Sequence, residues 1–137
     1  MCIRDRVDIS NPSLPNQVGF YDTTGDTSAV YVYGNYAYVA DGTAGLQIID
    51  VTSPSSPSLV ANYDTIGNTN DIYVAGSYAY VADGTAGVQI IDISNPAGPV
   101  LKSSYDTPGT AYSVYVAGIY AYVADGESGL LIINLEP

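Results

Sequence analysis

Histidine and tryptophan are absent from these 137 residues, cysteine and methionine occur once each, and 3 lysines and arginines face 14 aspartates and glutamates. Without histidine there is no Ser-His-Asp arrangement, and both the commonest general base and the commonest metal ligand are missing. A lone Cys2 cannot close an internal disulfide and makes thiol redox chemistry a poor expectation. A net charge of −11 repels phosphate-covered surfaces, so nucleic acid is not an expected partner. No apolar run approaches the roughly 18 residues that cross a bilayer, so membrane insertion is not expected. The N-terminal segment carries no apolar stretch of the kind found in a secretory signal peptide. No P-loop, dinucleotide fingerprint or Cys/His metal cluster is written into the chain.

What remains is a sequence built to fold. Hydrophobic residues make up 47% and charged residues 12%, which argues against disorder, and the length suffices for one domain with a core. Its main feature is repetition. "YAYVADGTAGLQIID" (Tyr36–Asp50) returns as "YAYVADGTAGVQIID" (Tyr78–Asp92) and again as "YAYVADGESGLLIIN" (Tyr120–Asn134). Asp41, Asp83 and Asp125 stand 42 residues apart, as do Tyr21, Tyr63 and Tyr105. A period of roughly 40–45 residues without insertions is that of a β-propeller blade.

Each unit predicts four short strands. In the first full unit these are "AVYVYG", "YAYVA", "LQIIDV" and "SLVANYD". Gly34-Asn35, Gly76-Ser77 and Gly118-Ile119 supply two-residue turns with glycine first, and Asp41-Gly42 opens the next turn. The apolar period is two, and glycine and proline recur too often for helices. Several strands are apolar on both faces, as at Leu46, Ile48 and Ile49, so each sheet needs a neighbour on either side. Radial stacking of similar sheets supplies them, which predicts an all-β, propeller-type repeat of four-stranded antiparallel meander blades.

The units resemble the LVIVD repeat family. The likeness is carried by "YAYVADGTAGLQIIDVTSPSSP" (Tyr36–Pro57), "VQIIDISNPAGP" (Val88–Pro99) and "VDISNPSLP" (Val7–Pro15), and it extends over residues 7–137. The resemblance implies propeller blades and an extracellular or cell-surface location in bacteria or archaea, and it implies no common reaction. Residues 1–6, "MCIRDR", break the pattern and read as foreign to the repeat. The remainder divides into an outer strand at 17–23, blades at 28–64 and 70–106, and a partial blade at 112–134. Three units are too few to close a ring. Either two chains share six blades, each lending "QVGFYD" to the other's last blade, or the chain is part of a longer array.

Residues that recur in every unit are most economically scaffold. Asp41, Asp83 and Asp125 are expected to accept backbone N–H groups within their turns, with a calcium-binding carboxylate ring as the alternative. The tyrosines at 31/73/115, 36/78/120 and 38/80/122 are expected to pack between blades, with sugar stacking as the alternative. Residues that vary between units are the binding candidates. After Gly25, Gly67 and Gly109 the copies read "DTSA", "NTND" and "TAYS". Asp26, Ser28, Asn68, Asn70, Asp71, Thr110 and Tyr112 are thereby expected near one channel mouth, beside Glu127. The reading is a non-catalytic scaffold for protein or glycan binding that needs no cofactor. The competing reading is a carbohydrate-active or cation-dependent hydrolase using Asp71 and Glu127 as a carboxylate pair.

Overall fold

The computed structural model describes residues 5–136. Alternating apolar residues broken by glycine turns give thirteen short strands there, arranged in four antiparallel sheets. Strands β1 (Asp5–Asp8) and β2 (Asn16–Phe20) form a half-blade. The first complete blade is β3 (Ala29–Tyr33), β4 (Tyr36–Ala40), β5 (Leu46–Asp50) and β6 (Ser58–Tyr63). The second is β7 (Asp71–Ala75), β8 (Tyr78–Ala82), β9 (Val88–Asp92) and β10 (Val100–Tyr105). The third has three strands, β11 (Ser113–Ala117), β12 (Tyr120–Ala124) and β13 (Leu130–Asn134), with a 3-10 turn at Gly126–Ser128. In each blade the strands pair in chain order, which is the predicted meander.

The glycine-first turns form as the sequence requires. Gly34, Gly76 and Gly118 sit at φ of 60°, 59° and 60°, where a side chain is unfavourable, and they join Tyr33 to Tyr36, Ala75 to Tyr78 and Ala117 to Tyr120. After each third strand a side chain folds back on the chain. Asp8, Asp50 and Asp92 accept the backbone N–H two residues on, from Ser10, Thr52 and Ser94, and Asn134 does the same for Glu136. These bonds hold the three carboxyls below the ordinary carboxylate pKa.

Blades stack through their apolar faces. Tyr38, Ala40, Leu46 and Ile48 of the first blade pack on Ile72, Val74, Ala79, Val81 and Ile91 of the second. Tyr80, Ala82 and Val88 of the second pack in the same way on Val114, Val116, Ala121, Val123 and Ile133 of the third. Tyr31, Tyr73 and Tyr115 on the three innermost strands run side by side, with ring centroids 5.0 and 4.7 Å apart. This spacing suits tilted and edge-on aromatic pairs. The tyrosines therefore pack between neighbouring blades on their inner strands.

The same repeat position has different surroundings along the array. Leu46 and Val88 are 0% and 1% exposed, whereas the corresponding Leu130 is 67% exposed. Val32 is 60% exposed, whereas its counterparts Val74 and Val116 are 3% and 7% exposed. Leu130 has no following blade over it and no fourth strand beside it among the described residues. Val32 lacks cover because the half-blade supplies only outer strands, with Tyr21 packing over Ala37, Val39 and Ile49.

Strand pairing also reaches ahead of residue 7. Strand β1 starts at Asp5, which pairs with Phe20, and Arg6 pairs with Gly19. Backbone pairing does not require the apolar pattern that these two residues lack, so side-chain alternation hides them. Met1–Arg4, the rest of the segment read as foreign, lies outside the described residues. Strand β2 has the pairing expected of an outer strand, but its partner is β1.

Candidate functional site

The Asp-Gly turns between second and third strands lie beside the segments that lead into each blade. Asp41, Asp83 and Asp125 are fully buried there. Asp41 accepts from the Gly25 N–H at 2.8 Å, the Thr27 hydroxyl at 2.8 Å and Gln47 Nε2 at 2.8 Å. Asp83 accepts from Gly67 N–H at 2.9 Å and from the Thr65 and Thr69 hydroxyls at 2.7 and 3.2 Å. Asp125 accepts from Gly109 N–H at 2.9 Å. Each carboxylate thus fastens the segment entering its own blade onto that blade's turn. Burial pushes the Asp83 carboxyl above its ordinary value, against the opposing pull of its hydrogen bonds.

The network thins along the chain. Thr27 and Thr69 correspond to Ala111, and Gln47 and Gln89 correspond to Leu131. The buried Asp125 Oδ1 and Thr107 Oγ1 consequently have no hydrogen-bond partner. An Ala111→Thr substitution restores the hydroxyl present in the other copies and is expected to stabilise the fold by about 1 kcal/mol. Urea denaturation checks this, and an unchanged or lowered midpoint contradicts it.

Asp83 also gives the fold a pH dependence. With its folded pKa above the unfolded value, the native state holds the proton more tightly. Its contribution is fully present below the unfolded pKa and is lost as pH rises through the folded one. Asp8, Asp50 and Asp92 act in the opposite sense, because their lowered folded pKa values make stability fall as they are protonated below 3.8. Self-repulsion from the net charge of −11 also eases on acidification. The thermal midpoint is therefore expected to rise from neutral into the mildly acidic range and to fall at lower pH. A midpoint that declines steadily from pH 7 downward contradicts this.

The varied residues beside these turns divide into two groups. Ser28 Oγ donates to the carbonyl of Asn70 at 2.7 Å, in the next blade, and Asn70 Nδ2 donates to the carbonyl of Ala111 at 2.9 Å, one blade further. Asn68 Nδ2 donates to Asn70 Oδ1. Asp71 Oδ2 accepts from the Ser113 hydroxyl at 2.8 Å and the Val114 N–H at 3.0 Å, while its Oδ1 accepts from Ile72 N–H. Ser28, Asn70 and Asp71 therefore belong to the stitching between blades, and the exposed Asn68 holds Asn70 within its own segment. Backbone bridges between Gly42 and Thr69 and between Gly84 and Ala111 reinforce it.

The second group is Asp26, Thr110, Tyr112 and Glu127. Asp26, Tyr112 and Glu127 are exposed and Thr110 is half-buried. A Cβ placed on Gly42 would lie 3.2 Å from the carbonyl of Asp26, and one on Gly126 would lie 3.3 Å from the Tyr112 ring, so both residues sit against Asp-Gly turns. Among the described residues no group of three or more histidine, cysteine or acidic side chains is arranged to hold a metal ion.

The opposite rim carries two clefts that reading the units singly does not reveal. One, of about 500 Å³, lies between the first two blades and is lined by Tyr33, Tyr36, Tyr38 and Ile93. The other, of about 460 Å³, shares three of those repeat positions, Tyr78, Tyr80 and Leu135, and adds Lys102 of the outer strand. Burial raises the phenol pKa values of Tyr38 and Tyr80 above the ordinary value. The "YAY" motif was the available signal, but each cleft is completed by residues of the next unit.

Four-stranded meanders stacked face to face, with their first strands together, define a β-propeller-type repeat protein whose ring is incomplete within this chain. The chain belongs to the LVIVD repeat family, whose model matches residues 5–23, 24–65, 66–107 and 108–135. No curated protein matches it. A solved structure titled as the computationally designed Ika4 protein aligns over 84% of this chain and 94% of its own, at 8% identity and a TM-score of 0.47.

Proposed function

We propose that this chain is a non-catalytic binding module, acting outside the cell or at its surface as a scaffold for a protein or glycan. The observation that carries this reading is the division of the polar residues along one rim. Asp41, Asp83 and Asp71 spend their oxygens holding segments and blades together. A carboxylate committed in this way is a poor acid or base, because proton transfer would break the bonds that position it. Asp26, Tyr112 and Glu127 are exposed on the same rim and differ between units, which suits selective contact. The acidic charge favours a neutral glycan or a basic protein patch.

The test is a panel of neutral oligosaccharides and basic proteins presented to the unmodified chain and to an Asp26→Ala, Tyr112→Ala, Glu127→Ala triple variant. Binding by the unmodified chain that the variant loses at an unchanged thermal midpoint supports the module. Absence of binding, together with glycoside hydrolysis removed by Asp71→Asn or Glu127→Gln, overturns it in favour of an enzyme.

A further inference from the structure

The half-blade holds the third- and fourth-strand positions of a repeat unit, and the third blade holds the first three. In the complete blades the third strand pairs outward with a fourth, β5 with β6 and β9 with β10. Among the described residues the outer edge of β13 carries no such strand. Strand β2 has the register of a fourth strand. Its pairs Asp5↔Phe20, Arg6↔Gly19, Val7↔Gln17 and Asp8↔Asn16 reproduce Gln47↔Asn62, Ile48↔Ala61, Ile49↔Leu59 and Asp50↔Ser58 one repeat earlier. The register shift falls at the same step in both, between Arg6 and Val7 and between Ile48 and Ile49. Strand β1 therefore occupies a third-strand position, the position that β13 holds in the last blade.

We infer that the third blade of a second copy of this chain docks onto the first blade, with its β13 replacing β1 against β2. Four observations favour a second copy as the occupant. The β13 edge meets a strand already in matching register. The exposed Leu130 and Ile132 would meet the exposed Val30 and Val32, as Leu46 and Ile48 meet Ile72 and Val74 at the first junction. Tyr115, exposed at one end of the tyrosine row, would meet Tyr31 at its other end. Gly126 would bridge to Thr27, as Gly42 and Gly84 bridge to Thr69 and Ala111.

The exchange leaves β2 in place, close against its own chain, where a Cβ on Gly19 would lie 2.1 Å from the Pro54 carbonyl oxygen. Each copy gives up the β1–β2 pairing and gains β13–β2 together with a covered apolar face. Two copies related by a two-fold axis form six complete blades, within the roughly four to eight that close a propeller. This inference does not depend on what the rim binds.

One glycine provides a direct test. A Cβ on Gly45 or Gly87 would lie 2.3 or 2.2 Å from the carbonyl oxygen of Tyr63 or Tyr105, which follows along the fourth strand. A Cβ on Gly129 meets nothing within 4 Å in this chain. In the two-copy ring it would meet the corresponding Tyr21 of the second copy. Gly118 has comparable open space and also a positive φ, so Gly118→Ala is the control.

The experiment is light scattering of the full chain across a concentration series. The expected result is twice the chain mass, with Gly129→Ala raising the dissociation constant at least tenfold over Gly118→Ala. In a Cys2→Ser background, Phe20→Cys combined with Leu131→Cys should yield a disulfide-linked dimer on mild oxidation. A single-chain mass at every concentration overturns the inference, as does a mass that climbs past two copies. Equal effects of the two glycine substitutions on the dimer also overturn it.

Discussion

Replacing Asp83 with alanine is expected to lower the unfolding free energy by about 3 kcal/mol, a large part of the roughly 5–15 kcal/mol that holds a typical domain. The substitution strands the Gly67 N–H and leaves the Thr65 and Thr69 hydroxyls with only each other, 2.8 Å apart. The loss is smaller than three charge-assisted hydrogen bonds would sum to, because the buried carboxylate already bears a desolvation cost that the substitution relieves. Asp125→Ala should cost far less. Its carboxylate has one backbone donor, and its Oδ1 is already unsatisfied. Chemical denaturation of the two variants checks the order. Equal losses would mean that hydrogen bonding to the entering segment is not what the aspartates supply.

Gly87→Ala should be comparably damaging, at about 2–5 kcal/mol. The residue sits at φ 78°, a region that costs an L residue about 1–2 kcal/mol. The added Cβ would also press on the Tyr105 carbonyl oxygen at 2.2 Å and the Thr107 nitrogen at 2.8 Å. Both contacts are backbone and cannot swing aside, so overpacking adds about another 1–3 kcal/mol. Gly129→Ala in a dissociated chain has the same φ of 78° with no crowding, and should show the conformational cost alone. The difference between the two, read by thermal denaturation at low protein concentration, isolates what the fourth strand imposes. A Gly87→Ala variant as stable as the Gly129→Ala variant would contradict the crowding.

The repeat units were legible because period, turn chemistry and two-sided apolar strands all point to the same meander. Glycine at 34, 76 and 118 located the hairpins, and paired apolar positions such as Ile48 and Ile49 required neighbours on both faces. The roles of the varied residues were not legible in the same way. Ser28 and Asn70 look unrelated by letter, yet each donates a side-chain hydrogen to a carbonyl of the following blade. Asp71 looks like an unrepeated acid available for chemistry, but its partners Ser113 and Val114 lie a whole unit away. Such contacts depend on how blades are juxtaposed, which the local pattern of a single unit does not encode. The tyrosine clefts stayed hidden for the same reason, since Ile93 and Leu135 enter them from the neighbouring unit.

The recurring aspartates act as hydrogen-bond pegs, so the melting of the fold is expected to be indifferent to cations. Melting the unmodified chain in excess calcium and in excess chelator tests this most directly. The same midpoint is expected in both. A midpoint that calcium raises and chelator lowers, with the difference abolished by Asp41→Asn or Asp83→Asn, would contradict it and make the turn carboxylates metal ligands.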